Sequence, residues 1–422
     1  MTSLLRPLLL LLLFVSSLPA QDLPVGKPEE LGFAPDRLQR LTNVFQAYAQ
    51  DKKMAGSVVL VMRHGKVAYL NAFGSRDLES NAPMTRDVIF RIASQTKAIV
   101  SVGIMMLQEE GKLLISDPVG KYIPEFKETT VARPRDGGGY DVVKAKRAIT
   151  IRDLLTHTAG IGYGYGVGAD QWKEAGIQGW YFADRDEPIA ATISRMGKLP
   201  MEAHPGEKYV YGYNTDILGV VIEKASGQSL EEFLTNRILL PLGMKDTHFY
   251  LLQSKVNRLA TVYSAFADKP LERAPDPGHM TGQGAYVTGP RKSFSGGAGL
   301  LSTASDYAKF LQMMLNKGTF NGQRLLAPGT VDLMTVNHLG NVQFEWNGGT
   351  GFGLGFSIVQ DVGAYGAPAS EGEYGWGGAY GSSYWVNPKE GLVVVYFKQL
   401  IPTNGLDDQS KLRALVYQAL VK

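Results

Sequence analysis

A chain of 422 residues, 44% hydrophobic and 20% charged, holds enough apolar material for one large domain or two closely packed ones. Its formal net charge of +3, with no basic run, gives no footing for nucleic acid or a membrane surface as partner. It contains no cysteine, which excludes disulfides, a thiol nucleophile, thiolate metal sites and a lipid-modified cysteine.

Taken in chain order, the first segment is an address rather than a structure. Arg6 precedes an apolar run over 8–15 and a small, polar close over 16–20. That run is too short to span a bilayer, so residues 1–20 are expected to be a cleaved secretory signal. The mature chain is then periplasmic or secreted, with no stable membrane insertion. A polar helix is expected over 35–50. Alternating apolar stretches at 57–62 and 67–70, joined by Arg63-His64-Gly65-Lys66, predict a β-hairpin. Residues 95–110 are apolar nearly all round and end at Gly111, the pattern of a buried helix.

From 112 to 290 the pattern is helical, broken by Gly- and Pro-rich loops of which 131–140 and 159–169 are the clearest. A helix returns over 298–315. Three strands are expected at 353–359, 382–386 and 392–397, and an amphipathic helix closes the chain over 405–420. Strands at both ends and helices between predict an α+β fold. Residues 21–111 and 291–422 would form one α/β domain, and 112–290 a mainly helical inserted subdomain.

Chemistry enters with Ser94-Gln95-Thr96-Lys97, which opens the buried helix and is the only Ser-x-x-Lys in the chain. Residues three apart share a helix face, so the serine hydroxyl and the lysine amine can meet. The helix start also turns unpaired N–H groups toward whatever the serine attacks. Lys97 is thereby placed to act as the general base that activates Ser94. On the motif alone, Ser94 reads equally well as a helix cap.

With these residues on the page, the sequence resembles the serine β-lactamase and penicillin-recognising family. The likeness is to its class C-like branch and to the family VIII carboxylesterases. It rests on Ser94-x-x-Lys97 with Phe90-Arg91-Ile92-Ala93 before it, and on segments 154–160, 205–207, 241–244 with Thr247, 297–300 and 374–388. The resemblance implies an antiparallel sheet of about five strands flanked by helices, with the site in the crevice beside a helical subdomain.

It also implies site residues. The family's Tyr-x-Asn falls on Tyr211-Gly212-Tyr213, with Tyr211 as a proton carrier and Tyr213 where the asparagine would meet substrate; Asn214 lies one position late. The family's Lys-Thr-Gly strand falls on Trp376-Gly377-Gly378, followed by Ala379. The glycines would let substrate lie along the strand, and the Ala379 N–H would join that of Ser94 as an oxyanion hole. Without the family's lysine and asparagine, the resemblance favours neutral esters over β-lactams. Tyr211 and Trp376 also have plain readings as core aromatics.

His157 is expected to be a buried structural histidine. The other histidines have no ligand spacing, so no metal is expected, and neither a Gly-x-Ser-x-Gly elbow nor a phosphate loop occurs. No cofactor is implied. Tyr163, Tyr165 and Trp172 read either as lining of an acyl pocket or as a surface loop. The expected partner is a small-molecule ester or amide, and the sequence leaves the oligomeric state open. A D,D-peptidase, a β-lactamase or a D-amino-acid amidase would share the chemistry; an inactive binding protein would share only the fold.

Overall fold

The structure is a computed structural model that describes residues 22–344, 346 and 348–421. The expected signal segment lies outside the described residues. Helix α1 (Pro35–Gln50) starts on a proline, which suits a first helical turn, and buries Leu38, Leu41, Phe45 and Tyr48 along one face. Strands β1 (Gly56–Arg63) and β2 (Lys66–Asp77) form the expected hairpin. Its turn residues His64 and Gly65 sit at φ 49° and 78°, the conformation that a tight two-residue connection demands.

The remaining strands of the main sheet are β3 (Ala82–Pro83), β4 (Thr350–Phe352), β5 (Ser357–Val359), β6 (Tyr374–Gly377), β7 (Ser383–Asn387) and β8 (Leu392–Lys398). Their order in space is β4-β5-β6-β7-β8-β1-β2-β3, antiparallel throughout. The two ends of the chain therefore meet at the β8–β1 seam. Because side chains alternate along a strand, Val58, Leu60 and Met62 of β1 enter one core while Val59 and Val61 enter another. The first core holds helix α2 (Thr96–Glu109), whose residues 96–107 are all buried. The second lies under α1 and the closing helix α6 (Asp408–Tyr417).

The sheet has eight strands where about five were expected. The excess consists of strands of two or three residues, β3, β4 and β5, too short to leave an alternating pattern. The expected strand over 353–359 is a turn leading into β5. The expected loop at 131–140 is another correction: Thr130–Pro134 pairs with Tyr140–Lys144 across a Gly-rich turn, and with Pro200–Met201 on its other side. The stretch 112–290 is thus not purely helical. Its longest helix is α3 (Asn214–Ser226), packed directly on α2. Helix α4 (Ala304–Leu315) starts later than expected, because Thr303 caps it by accepting the Asp306 N–H at 3.1 Å. Helix α5 (Pro328–Met334) leads toward β4.

Candidate active site

Ser94 lies in a tight turn, Ala93–Gln95, that feeds α2. Ala93 before it is held at φ 43°, a left-handed conformation that costs a residue with a Cβ about 1 kcal/mol. That turn brings Ser94, half-buried, to the wall of a cleft of about 680 Å³.

One helical turn on, Lys97 is 2% exposed. Its Nζ donates to the Gly297 carbonyl at 2.7 Å, to the Tyr163 hydroxyl at 3.2 Å and to Ser94 Oγ at 3.3 Å. Three donors on one amine are thereby all engaged. The Asp216 carboxylate on α3 stops one residue short of the amine. It accepts from the Gly297 N–H at 3.0 Å and from Ser295 Oγ at 2.6 Å, so Gly297 is gripped between the acid and the amine. Burial raises the Asp216 carboxyl above its ordinary value, and the charge of Lys97 works against that shift.

Tyr163 reaches Lys97 from the Gly-rich loop over 159–169. Burial, with Tyr211 and Asp216 nearby, pushes its hydroxyl well above the ordinary tyrosine value. Glu202 braces this loop from behind. Side chains at Gly162 or Gly166 would collide with its carboxylate, which accepts the Gly166 N–H. Burial raises Glu202 as well. The neighbours of Tyr163 split the earlier reading of this loop. Tyr163 lines the cleft, Tyr165 is 60% exposed, and Trp172 is buried with its indole N–H on the Pro200 carbonyl at 2.9 Å.

Tyr213 requires a correction as a residue facing substrate. It is wholly buried, stacked on Trp172 at 5.8 Å, and its hydroxyl donates to the Gly179 carbonyl at 2.7 Å. The entry into α3 turns it under the Tyr163 loop, away from the cleft. Asn214 is equally withdrawn: its Nδ2 meets His157 Nδ1 at 2.9 Å and the Ile161 carbonyl at 3.1 Å. His157 is buried, and burial together with Lys97 holds it well below its ordinary pKa.

Tyr211 presents its ring face to Lys97, with Nζ 4.7 Å from the centroid. Its hydroxyl accepts a hydrogen bond from Trp376 Nε1 at 3.0 Å. An indole N–H, neutral and donor-only, therefore stands at the phenol oxygen where the resemblance would put a lysine. Beyond Trp376, strand β6 runs out into Gly377, Gly378 and Ala379, all lining the cleft. Gly378 lies so close to the Ile92 carbonyl that no side chain would fit, which presses this strand end against the Ser94 turn. The N–H groups of Ser94 and Ala379 make no hydrogen bond among the described residues.

The sequence reading brought together Ser94, Lys97, Tyr211 and the 376–379 segment; the structure lines one cleft with Ser94, Tyr211 and 376–379 and sets Lys97 buried behind Ser94. It overlooked Asp216, and it left Tyr163 undecided. Gly297 lay inside a segment already singled out, but its carbonyl could be matched to Lys97 only in three dimensions. Among the described residues no group of three metal-ligating side chains occurs, and no helix is long and apolar enough to cross a membrane.

Comparison with known proteins shows the family and the fold. The Beta-lactamase family profile matches residues 41–418. The esterase EstB of Burkholderia gladioli is 32% identical over 370 residues, spanning 84% of this chain and 88% of its own length. Among solved structures, EstCE1, described as a hydrolase with promiscuous acyltransferase activity, superposes with a TM-score of 0.76 at 27% identity, over 91% of this chain and 99% of its own. The unliganded selenomethionyl simvastatin synthase LovD of Aspergillus terreus gives a TM-score of 0.75 at 25% identity, over 91% and 98%.

Proposed function

The chain belongs to the β-lactamase family, and from that membership and the geometry around Ser94 we propose that it is an exported carboxylesterase acting through an acyl-enzyme on esters of small or medium acyl groups. The coarser statement needs no proposal: it is a serine hydrolase of esterase-like kind with the β-lactamase/transpeptidase-like fold. The observation that carries the finer reading is Lys97 Nζ at 3.3 Å from Ser94 Oγ, in an open cleft whose strand bears Trp376 in place of a cation.

In this mechanism Ser94 Oγ attacks the ester carbonyl carbon and gives its one proton to Lys97 Nζ, 3.3 Å away, acting as the base. The carbonyl electron pair moves onto oxygen, where the N–H groups of Ser94 and Ala379 receive it. Collapse breaks the bond to the alcohol, which leaves with that proton, handed back from Lys97 with Tyr211 beside it. The Trp376 indole N–H, donated to the Tyr211 oxygen at 3.0 Å, fixes where that hydroxyl stands. Water then adds to the acyl-Ser94 ester by the same route and releases the acid. Tyr163 supplies a second hydroxyl within reach of Lys97.

The names of the relatives support an ester rather than a lactam: EstB is an esterase, and EstCE1 a hydrolase with acyltransferase activity. Export rests on the sequence of residues 1–20 alone. N-terminal sequencing of the protein recovered from cells making the full chain tests it, and an intact Met1 would refute it.

The activity is tested by treating wild type and Ser94→Ala with a fluorophosphonate, read by intact mass, beside hydrolysis of p-nitrophenyl acetate and butyrate. One adduct and turnover in wild type only are expected; an unlabelled, inert but folded wild type would overturn the reading. Stoichiometric capture of labelled penicillin with slow ester turnover would instead favour a D,D-peptidase or a β-lactamase.

A further inference from the structure

Resting on the esterase reading, a second question is which esters the cleft admits, and the wall around Ser94 bears on it. Tyr163, Trp180, Tyr211, Trp346 and Trp376 all line the cleft beside the serine. Trp346 stacks on Trp376 with ring planes 17° apart and centroids at 5.1 Å, and Phe344 packs beside both, 6.3 Å from Trp346 and 6.5 Å from Trp376. Tyr211 stands across Trp346 at 4.8 Å and 62°. Trp346 nonetheless remains 52% exposed, a large aromatic surface left uncovered at the mouth of a reactive site.

Two of the polar groups on these rings are already in use. The Trp376 indole N–H is bound by Tyr211, and the Tyr163 hydroxyl by Lys97. What the two rings offer a guest is therefore face and edge, not hydrogen bonds. A cationic guest, the usual occupant of an aromatic cage, finds the position taken: Lys97 Nζ already lies 4.7 Å from the Tyr211 centroid and 5.9 Å from that of Tyr163. An anionic guest finds no cation at Trp376, and Arg413 at the far end of the cleft is tied to Glu373 at 2.5 Å and to the Pro368 carbonyl at 3.0 Å. A neutral, flat, apolar group is left as the one class that loses nothing on entry.

We propose that the site is built for neutral esters carrying a planar aromatic ring system next to the scissile bond, with Trp346 as the residue that sets this preference. The exposed face of the Trp346–Trp376 stack receives the ring, and burying both surfaces repays the exposure of Trp346 in the free enzyme. Trp346 touches no reacting atom, and any effect passed on through Tyr211 or Trp376 falls on all esters alike, so the aromatic preference is read from the difference between esters.

The test compares wild type, Trp346→Phe and Trp346→Ala on (2-naphthyl)methyl acetate, (decahydro-2-naphthyl)methyl acetate and butyl acetate, with methyl 2-naphthylacetate against methyl butanoate for the acyl side. Each variant is scored by its change in kcat/KM on each ester, which cancels differences in intrinsic reactivity. Trp346→Ala is expected to lose about 10-fold more on at least one naphthyl ester than on the butyl and decahydro esters, while Trp346→Phe keeps most of the preference. Equal losses on all esters, or none on any, would overturn the proposal. So would a preference for acetylcholine over its neutral isostere 3,3-dimethylbutyl acetate.

Calorimetric binding of intact (2-naphthyl)methyl acetate to Ser94→Ala and to Ser94→Ala/Trp346→Ala requires no turnover. It separates this claim from the hydrolase reading. Weaker binding on loss of Trp346 supports the aromatic platform even if wild type proves inert, and unchanged binding refutes it even if wild type is an active esterase.

Discussion

Lys97 and Lys398 are both withdrawn from solvent, at 2% and 1% exposure, yet their surroundings are arranged in opposite ways. Lys398, on β8, meets Asp408 of α6 directly, and the same carboxylate takes the Tyr396 hydroxyl. Burial pushes Lys398 down while Asp408 pulls it back up. Acid and base consume each other's capacity there, and the product is a fastening between helix and sheet. At Lys97 the acid is held one residue away: Asp216 grips the N–H of Gly297, and Lys97 takes the carbonyl of the same residue. The amine has company without a contact ion pair, and one of its N–H groups is left for Ser94. A buried lysine in direct contact with a carboxylate is committed to structure; at Lys97 a peptide unit stands between the two, and one N–H reaches Ser94 instead.

The contrast breaks most visibly if the two lysines are exchanged for methionine. Lys97→Met is expected to lower kcat/KM for p-nitrophenyl acetate by about 10³-fold while the melting temperature stays within a few degrees. Lys398→Met should do the reverse. It leaves Asp408 buried without its partner, a loss of about 3–5 kcal/mol seen as a lower urea midpoint, while activity per folded molecule persists. An inactive but fully stable Lys398→Met, or an unfolded Lys97→Met, would dissolve the distinction.

Asp216→Asn sharpens it: Oδ1 still accepts from Gly297 and Ser295 but the charge is gone. A loss of about 10-fold in kcat with a displaced pH–rate profile is expected, and an unchanged profile would leave Asp216 a purely structural residue. Trp376→Phe, which keeps a ring and deletes the N–H at Tyr211, should cost a similar factor in kcat with less effect on KM.

The histidines provide a smaller effect. His157 is held well below its ordinary pKa, and His248 is pushed down to about 4 by burial and then by Lys255. Between about pH 6.5 and 4 the unfolded chain therefore takes up protons that the folded state refuses, so these groups make stability fall as pH drops through that window. The melting temperature of His248→Gln should decline less steeply from pH 7 to 5 than that of wild type. Smallest of all, Ala93→Gly trades a buried methyl for release from φ 43°, and a stability change within about 1 kcal/mol is expected by denaturant titration.

How much of this was legible in the sequence depended on how local each feature is. The α2 helix could be read because twelve successive buried residues leave an apolar run, and Ser94 and Lys97 ride on it. The β1–β2 hairpin was legible because its turn chemistry is local. Strand β4 is three residues long and sits beside β5 through a turn that the same run of glycines could equally have filled with a loop. The Lys97 surroundings draw on Tyr163, Asp216 and Gly297, from three separate segments, and no spacing in one sequence joins them. Tyr213 was misplaced for a related reason: motif register fixes a position along the chain, but the start of α3 decides which way that position faces.

The β8–β1 seam ties residue 57 to residue 398 and residue 63 to residue 392. A growing chain can complete its first hairpin early, but the inner flank of β1 has nothing to pair with until nearly the last strand has been made. Closing a loop of that span is slow compared with local helix and hairpin formation. Until it closes, β1 is an apolar edge with unpaired N–H and C=O groups, the kind of template that recruits other chains. A chain that stops before residue 392 is therefore expected to lose more than a strand: it leaves that edge open for good, and it should appear as aggregate rather than as a smaller, weaker enzyme.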